Sequence, residues 1–155
     1  MSKPRVLFVY DIPDERYWKD GLWAAINLLG EDFQIVPLNL ALGKTDPPFP
    51  DSDWNIDFML GWGGFNSRVD KWLSRSPFKK GLCLAGYGFP PSEDFRYDVI
   101  FYEEEWAKQW LLQRSSYRPE QLVHAFGVNT DIFNISDPST SVWDYTTVGA
   151  FSEWK

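Results

Sequence analysis

The sequence predicts an α/β domain, a doubly wound and mostly parallel sheet with helices packed on it. Three observations carry this. Short apolar runs alternate along the chain with segments whose apolar residues recur at helical spacing. The apolar runs are continuous rather than alternating, as in strands buried on both faces. Glycine, proline and small polar residues fall between the two kinds of segment and supply caps and turns.

The elements follow in order. Val6 to Tyr10 is the first strand. Asp14 caps a helix carrying Trp18, Leu22, Ala25, Ile26 and Leu29, stopped at Gly30. Phe33 to Leu38 is the second strand, and Pro37 places it at an edge, where a missing N–H is tolerated. The proline-rich Gly43 to Asp53 reads as a surface loop. Ile56 to Leu60 is the third strand, followed by a Gly61-Trp62-Gly63-Gly64 turn. Asn66 or Ser67 then caps a short helix with Val69, Trp72 and Leu73, ended by Ser76-Pro77. Leu82 to Ala85 is the fourth strand, running into Gly86-Tyr87-Gly88 and Pro90-Pro91. Val99 to Tyr102 is the fifth. Glu103, Glu104 and Glu105 open a helix holding Trp106, Trp110 and Leu111, with Arg114 near its end, a charge order that suits the helix dipole. Leu122 to Phe126 is the sixth strand.

The C-terminal stretch departs from this rhythm. After Gly127 comes a polar segment with Asp137-Pro138, then an apolar strand near Trp143 that reaches Gly149. A strand feeding a glycine is the usual start of a βα unit. The expected division is therefore a domain over residues 1–127, a linker over 128–141, and the first strand of a second domain over 142–155. Such an unpaired strand seeks a partner edge, so a dimer or a swapped strand is expected there.

Composition narrows the function. The 155 residues suit one domain, and 44% hydrophobic content without a membrane-length apolar run suits a soluble protein with no transmembrane segment. Lys3, Pro4 and Arg5 lead straight into a strand, not into a signal sequence, and the single cysteine, Cys83, fits a cytoplasmic setting. A net charge of −7 repels a phosphate backbone, so no nucleic-acid partner is expected. Nine Trp, twelve Phe and seven Tyr exceed what a core of this size needs. They fill helix–sheet seams or offer flat faces to ligands such as sugar rings.

In a parallel α/β sheet, ligands bind beyond the carboxyl ends of the strands. Four loops are thereby singled out: residues 11–17, 61–65, 86–91 and 103–105. Asp11 ends the first strand, and reads equally as a functional carboxylate or as a turn residue before Pro13. Gly61 to Gly64 is a tight turn or a cradle letting a backbone approach a phosphate, but it is neither a dinucleotide fingerprint nor a P-loop. Tyr87 and Glu103 border the same edge, and the glutamate run is most simply a charged helix start. Asp51-Ser52-Asp53 has the form of a divalent-metal motif inside a turn-rich loop, where Asp and Ser are ordinary turn residues, and no metal is expected. His124 reads as a satisfied residue of a buried strand, with no Ser, Cys or acidic partner for a triad. Cys83 reads as a small core hydrophobe.

The pattern F-G-V-N-T-D-I-F at Phe126 to Phe133, a spacer, a strand ending Val148-Gly149, and Lys155 six residues beyond the glycine resemble the interdomain junction of GT-B glycosyltransferases of the retaining family four type. Gly127, Val128, Thr130, Phe133, Val148, Gly149 and Lys155 match that pattern. Asn129 stands where the family has Asp, and Ala150 where it has Arg. The likeness is specific over about 30 residues and topological elsewhere. It implies a Rossmann-like acceptor-side domain, with a glycan or sugar acceptor facing Asp11, Trp62, Gly63, Gly64, Tyr87 and Glu103. It also implies a separate C-terminal domain holding a nucleotide-sugar donor, whose diphosphate Lys155 contacts. The fragment itself would carry no bound cofactor. An alternative class is a stand-alone flavodoxin-like or receiver-like module that binds a ligand or a protein, for which Asp11 is the supporting residue.

Overall fold

The computed structural model describes residues 2–13, 30–43, 45–48, 54–85 and 97–125. They form a six-stranded, wholly parallel sheet in the order β2-β1-β3-β4-β5-β6, an α/β Rossmann-like arrangement as expected from the sequence. The strands are β1 (Arg5–Tyr10), β2 (Gln34–Asn39), β3 (Phe58–Gly63), β4 (Lys80–Leu84), β5 (Val99–Tyr102) and β6 (Leu122–His124). Two described α-helices, α1 (Arg68–Leu73) and α2 (Glu105–Arg114), follow β3 and β5. The helix expected over residues 14–29, the Asp51-Ser52-Asp53 motif, the loop containing Tyr87, and everything from Phe126 to Lys155 lie outside the described residues. The last of these includes the expected linker, the orphan strand and its dimer contact.

Alternation along the strands sorts the apolar side chains onto two faces. Leu7 and Val9 of β1, Met59 of β3, Leu82 of β4 and Ile100 of β5 share one buried cluster with Val69, Trp72 and Leu73 of α1 and with Ala107 and Leu111 of α2. Phe8, Tyr10 and Ile12 form a second cluster with Ile35, Leu60 and Trp62 on the opposite face. Both described helices therefore cover the same side of the sheet. Trp106 lies outside this packing, 53% exposed, although the helical spacing groups it with Trp110 and Leu111. Pro37 sits in β2, which among the described residues pairs only with β1, so the proline lies on an edge strand as expected from the sequence.

Two glycines have a different role from the one their sequence context suggests. The Gly61-Trp62-Gly63-Gly64 stretch is mostly strand: β3 runs through Gly63, and Gly61 pairs with both Val9 and Leu82. A Cβ on Gly61 would run into Leu73 and Val69 of α1, and one on Gly63 would lie 2.9 Å from the Ser67 hydroxyl. What these positions need is space for α1 to lie close against β3.

Candidate functional site

Strand order places the site. Going from β1, the chain crosses first to β2 on one side and then back over β1 to β3 on the other, so the β1/β3 boundary is the point where the winding reverses. In parallel α/β sheets ligands bind at such a reversal, outside the carboxyl ends of the strands. Asp11 leaves β1 at this edge, and Gly63 and Gly64 leave β3 beside it.

Asn39, at the end of β2, fixes the chain on which Asp11 sits. Its side-chain oxygen accepts from the Ile12 amide at 3.2 Å, and its Nδ2 donates to the Ile12 carbonyl at 2.9 Å. The same oxygen accepts from Ala41 N–H at 3.1 Å and begins a 3-10 turn over Leu40–Leu42. This two-point clamp holds the backbone at Ile12, the residue after Asp11.

Arg68, the first residue of α1, is the cation of the site. Its Nε donates to Asp46 Oδ1 at 2.7 Å, its Nη2 reaches the Gly43 carbonyl at 3.4 Å, and its Nη1 lies 3.8 Å from Asp11 Oδ1. Arg75 Nη2 stands 3.8 Å from the other oxygen of Asp46. One turn along α1, Trp72 Nε1 donates to the Pro47 carbonyl at 3.0 Å. Gly43, Asp46 and Pro47 are thus tied to α1 by the side chains of Arg68 and Trp72. Half-exposed ion pairs of this kind each contribute only about 0–1 kcal/mol, so their consequence here is geometric.

Three amides at the start of α1, those of Asn66, Ser67 and Asp70, are partnered within the chain. Ser67 is its N-cap and accepts from Asp70 N–H at 3.2 Å, while the Asp70 carboxylate turns back to accept from Asn66 N–H at 2.8 Å. Asn66 adopts φ 63°, a left-handed conformation that Asn tolerates and that aims its amide at Asp70. Ser67 N–H donates to the Gly64 carbonyl. These amides are spent within the chain, as in a capping box, and a buried carboxylate stands where a phosphate cradle would seat its ligand. Tyr97 O–H also donates to Asp70, at 2.5 Å, tying the approach to β5 to the start of α1.

The other residues singled out from the sequence are dispersed. Trp62 points away from Arg68, into the cluster with Phe8 and Tyr10. Glu103 is exposed beyond β5, three strand positions from β1, or about 14 Å at the usual strand spacing. His124 is exposed, not buried, because β6 is the edge of the sheet. Its Nε2 lies 2.8 Å from the Glu103 carbonyl and its ring 5.3 Å from that of Tyr102, so the imidazole is partnered as expected although its setting is different. Tyr87 and Lys155 fall outside the described residues. Among the described residues no group of three or more His, Cys, Asp or Glu side chains is arranged to hold a metal, and no helix is long and apolar enough to cross a membrane.

Burial, and secondarily the Glu103 carboxylate, pushes the Cys83 thiol from 9.0 up to about 12. That rise cuts the thiolate fraction near pH 8 by roughly a thousandfold. Alkylation of the native protein at pH 8 is therefore expected to be at least a hundredfold slower than in urea. Equal rates in the two states would show that the thiol is not shielded.

No known protein family, curated protein or solved structure matches this chain. Sequence reasoning singled out Asp11 and the glycines and passed over Asn39, Asp46 and Arg68, which the structure places beside Asp11 or its chain. The only local signal was an arginine at the first position of a helix, where the dipole disfavours a cation unless carboxylates offset it.

Proposed function

We propose that this chain is the acceptor-binding domain of a GT-B glycosyltransferase, which moves a sugar from a nucleotide-sugar to an acceptor seated at the carboxyl ends of β1 and β3. The observation that carries this reading is the convergence of Asp11 and Arg68 at the winding reversal. The resemblance of residues 126–155 to the interdomain junction of that family supports it from the sequence. On this reading the donor belongs to a second Rossmann-like domain, and Lys155 contacts its diphosphate as a fixed cation. This domain supplies the acceptor's position. Its polar groups hold the attacking hydroxyl in line with the donor, a contribution to rate worth up to about 7–11 kcal/mol when orientation is complete.

A binding module is the second reading, and strand order is its support, since β2-β1-β3-β4-β5 is also the order of flavodoxin-like proteins. The site chemistry argues against a flavin or phosphate ligand. The loop after β1 opens with a carboxylate and then Ile12-Pro13, and the Asn66, Ser67 and Asp70 amides at the start of α1 are already occupied.

Nucleotide release from UDP-, GDP-, ADP- and dTDP-sugars tests the proposal. Residues 1–155 alone are expected to release none above the uncatalysed rate, and a protein carrying both domains is expected to release nucleotide with at least one donor. Turnover by 1–155 itself, or none by the two-domain protein with any donor and a broad acceptor mixture, would contradict the reading.

A further inference from the structure

We infer that the Asp11–Arg68 pair is a receptor for a vicinal diol of an uncharged sugar, with Asp46 as the residue that positions Arg68. This deepens the acceptor-domain reading and rests on it for the choice of a sugar as the bearer of the diol.

Arg68 keeps donors beyond those its protein partners use. A guanidinium carries five N–H donors in a rigid fork. In Arg68 the Nε is committed to Asp46 at 2.7 Å and Nη2 makes only a 3.4 Å contact with Gly43, while Nη1 and Asp11 stop at 3.8 Å, beyond direct hydrogen-bonding range. Asp11 makes no other polar side-chain contact among the described residues. The fork is fixed at its base by Asp46, and its outer edge stands a short gap from an acceptor-only carboxylate. Both side chains are about one-third exposed, so a ligand can reach the gap while the surroundings limit competition from water.

Charge then selects the ligand. The guanidinium of Arg68 stands between two carboxylates, Asp11 and Asp46, and Arg75 lies at the far oxygen of Asp46. A phosphate or carboxylate at Arg68 would face Asp11 and Asp46 at close range, whereas a cation at Asp11 would face Arg68. A hydroxyl meets neither objection because it both donates and accepts. Two adjacent hydroxyls can bridge the pair, one donating to Asp11 and the other accepting from Arg68, each bond being assisted by a charged partner.

The experiment is a titration of the isotope-labelled full chain, followed through its backbone amide and arginine Nε–H signals. Glucose, mannose, galactose and trans-cyclohexane-1,2-diol serve as diol probes, with cyclohexane-1,3-diol, inorganic phosphate and glucose 6-phosphate as comparisons. The neutral sugars and the 1,2-diol are expected to shift Asp11, Gly63, Gly64 and the Arg68 Nε–H together. The 1,3-diol and phosphate are expected to bind at least tenfold more weakly. Asp11→Asn and Arg68→Lys should each weaken sugar binding by about tenfold or more, the loss of one charge-assisted hydrogen bond, and Asp46→Asn should weaken it less. Tighter binding of phosphate than of glucose would overturn the assignment, as would sugar-induced shifts confined to other residues, or affinities unchanged in folded Asp11→Asn protein. The wild-type map stands even where a variant fails to fold. Diol binding here without glycosyl transfer by the two-domain protein would remove the enzymatic reading and leave this site. Transfer that is indifferent to Asp11 and Arg68 would do the reverse.

Discussion

Replacing Trp72 by Ala is expected to cost about 3–5 kcal/mol, the range for deleting a buried large aromatic side chain. Trp72 is the largest fully buried side chain described. It sits in α1 within the cluster that joins the helix to β3, and its Nε1 donates to the Pro47 carbonyl at 3.0 Å. Against a total stability of about 5–15 kcal/mol for a domain, this is a large fraction. Urea unfolding should show the midpoint falling with the slope unchanged. Trp72→Phe, which keeps much of the packing and loses the hydrogen bond to Pro47, should cost roughly half as much or less. A loss under about 1 kcal/mol for Trp72→Ala would mean that α1 does not pack on β3 as described.

The second large effect is expected at Asp70. Its carboxylate is fully buried and accepts from Tyr97 O–H at 2.5 Å and from Asn66 N–H at 2.8 Å. Asp70→Ala removes the acceptor from both donors in a site that water does not reach, so a cost of about 2–4 kcal/mol is expected. Tyr97→Phe removes one of the two bonds. Because the residues share that bond, a double-mutant cycle should return a coupling of about 1–3 kcal/mol. Additive costs would show that the hydroxyl and carboxylate act independently.

The fold was legible because its signals are local. Continuous apolar runs such as Val6 to Tyr10 mark strands buried on both faces, Ser67 marks a helix start by its hydroxyl, and Pro37 marks an edge. Errors arose where one residue type serves two ends. Glycine signals a turn or a close approach, and only the packing of Leu73 and Val69 against β3 decides between them at Gly61. An apolar segment such as Leu122 to Phe126 reads as buried whether it lies inside the sheet or at its edge. That depends on strand order, which no local pattern encodes, and it is why His124 is exposed rather than buried. The candidate site was half legible for the same reason. Asp11 follows a strand and is visible in sequence, but Arg68 reaches it across 57 positions and Asp46 across 22. Only the crossover from β2 over β1 to β3 brings the three together.

The proposed acceptor-side role is tested most directly by steady-state transfer kinetics of Asp11→Asn in a protein that joins this chain to the proposed donor domain, with donor and acceptor varied separately. The account predicts that the acceptor KM rises about tenfold or more, the loss of one charge-assisted hydrogen bond, while the donor KM is unchanged. A rise in donor KM instead, or an acceptor KM equal to that of the wild type, would contradict it.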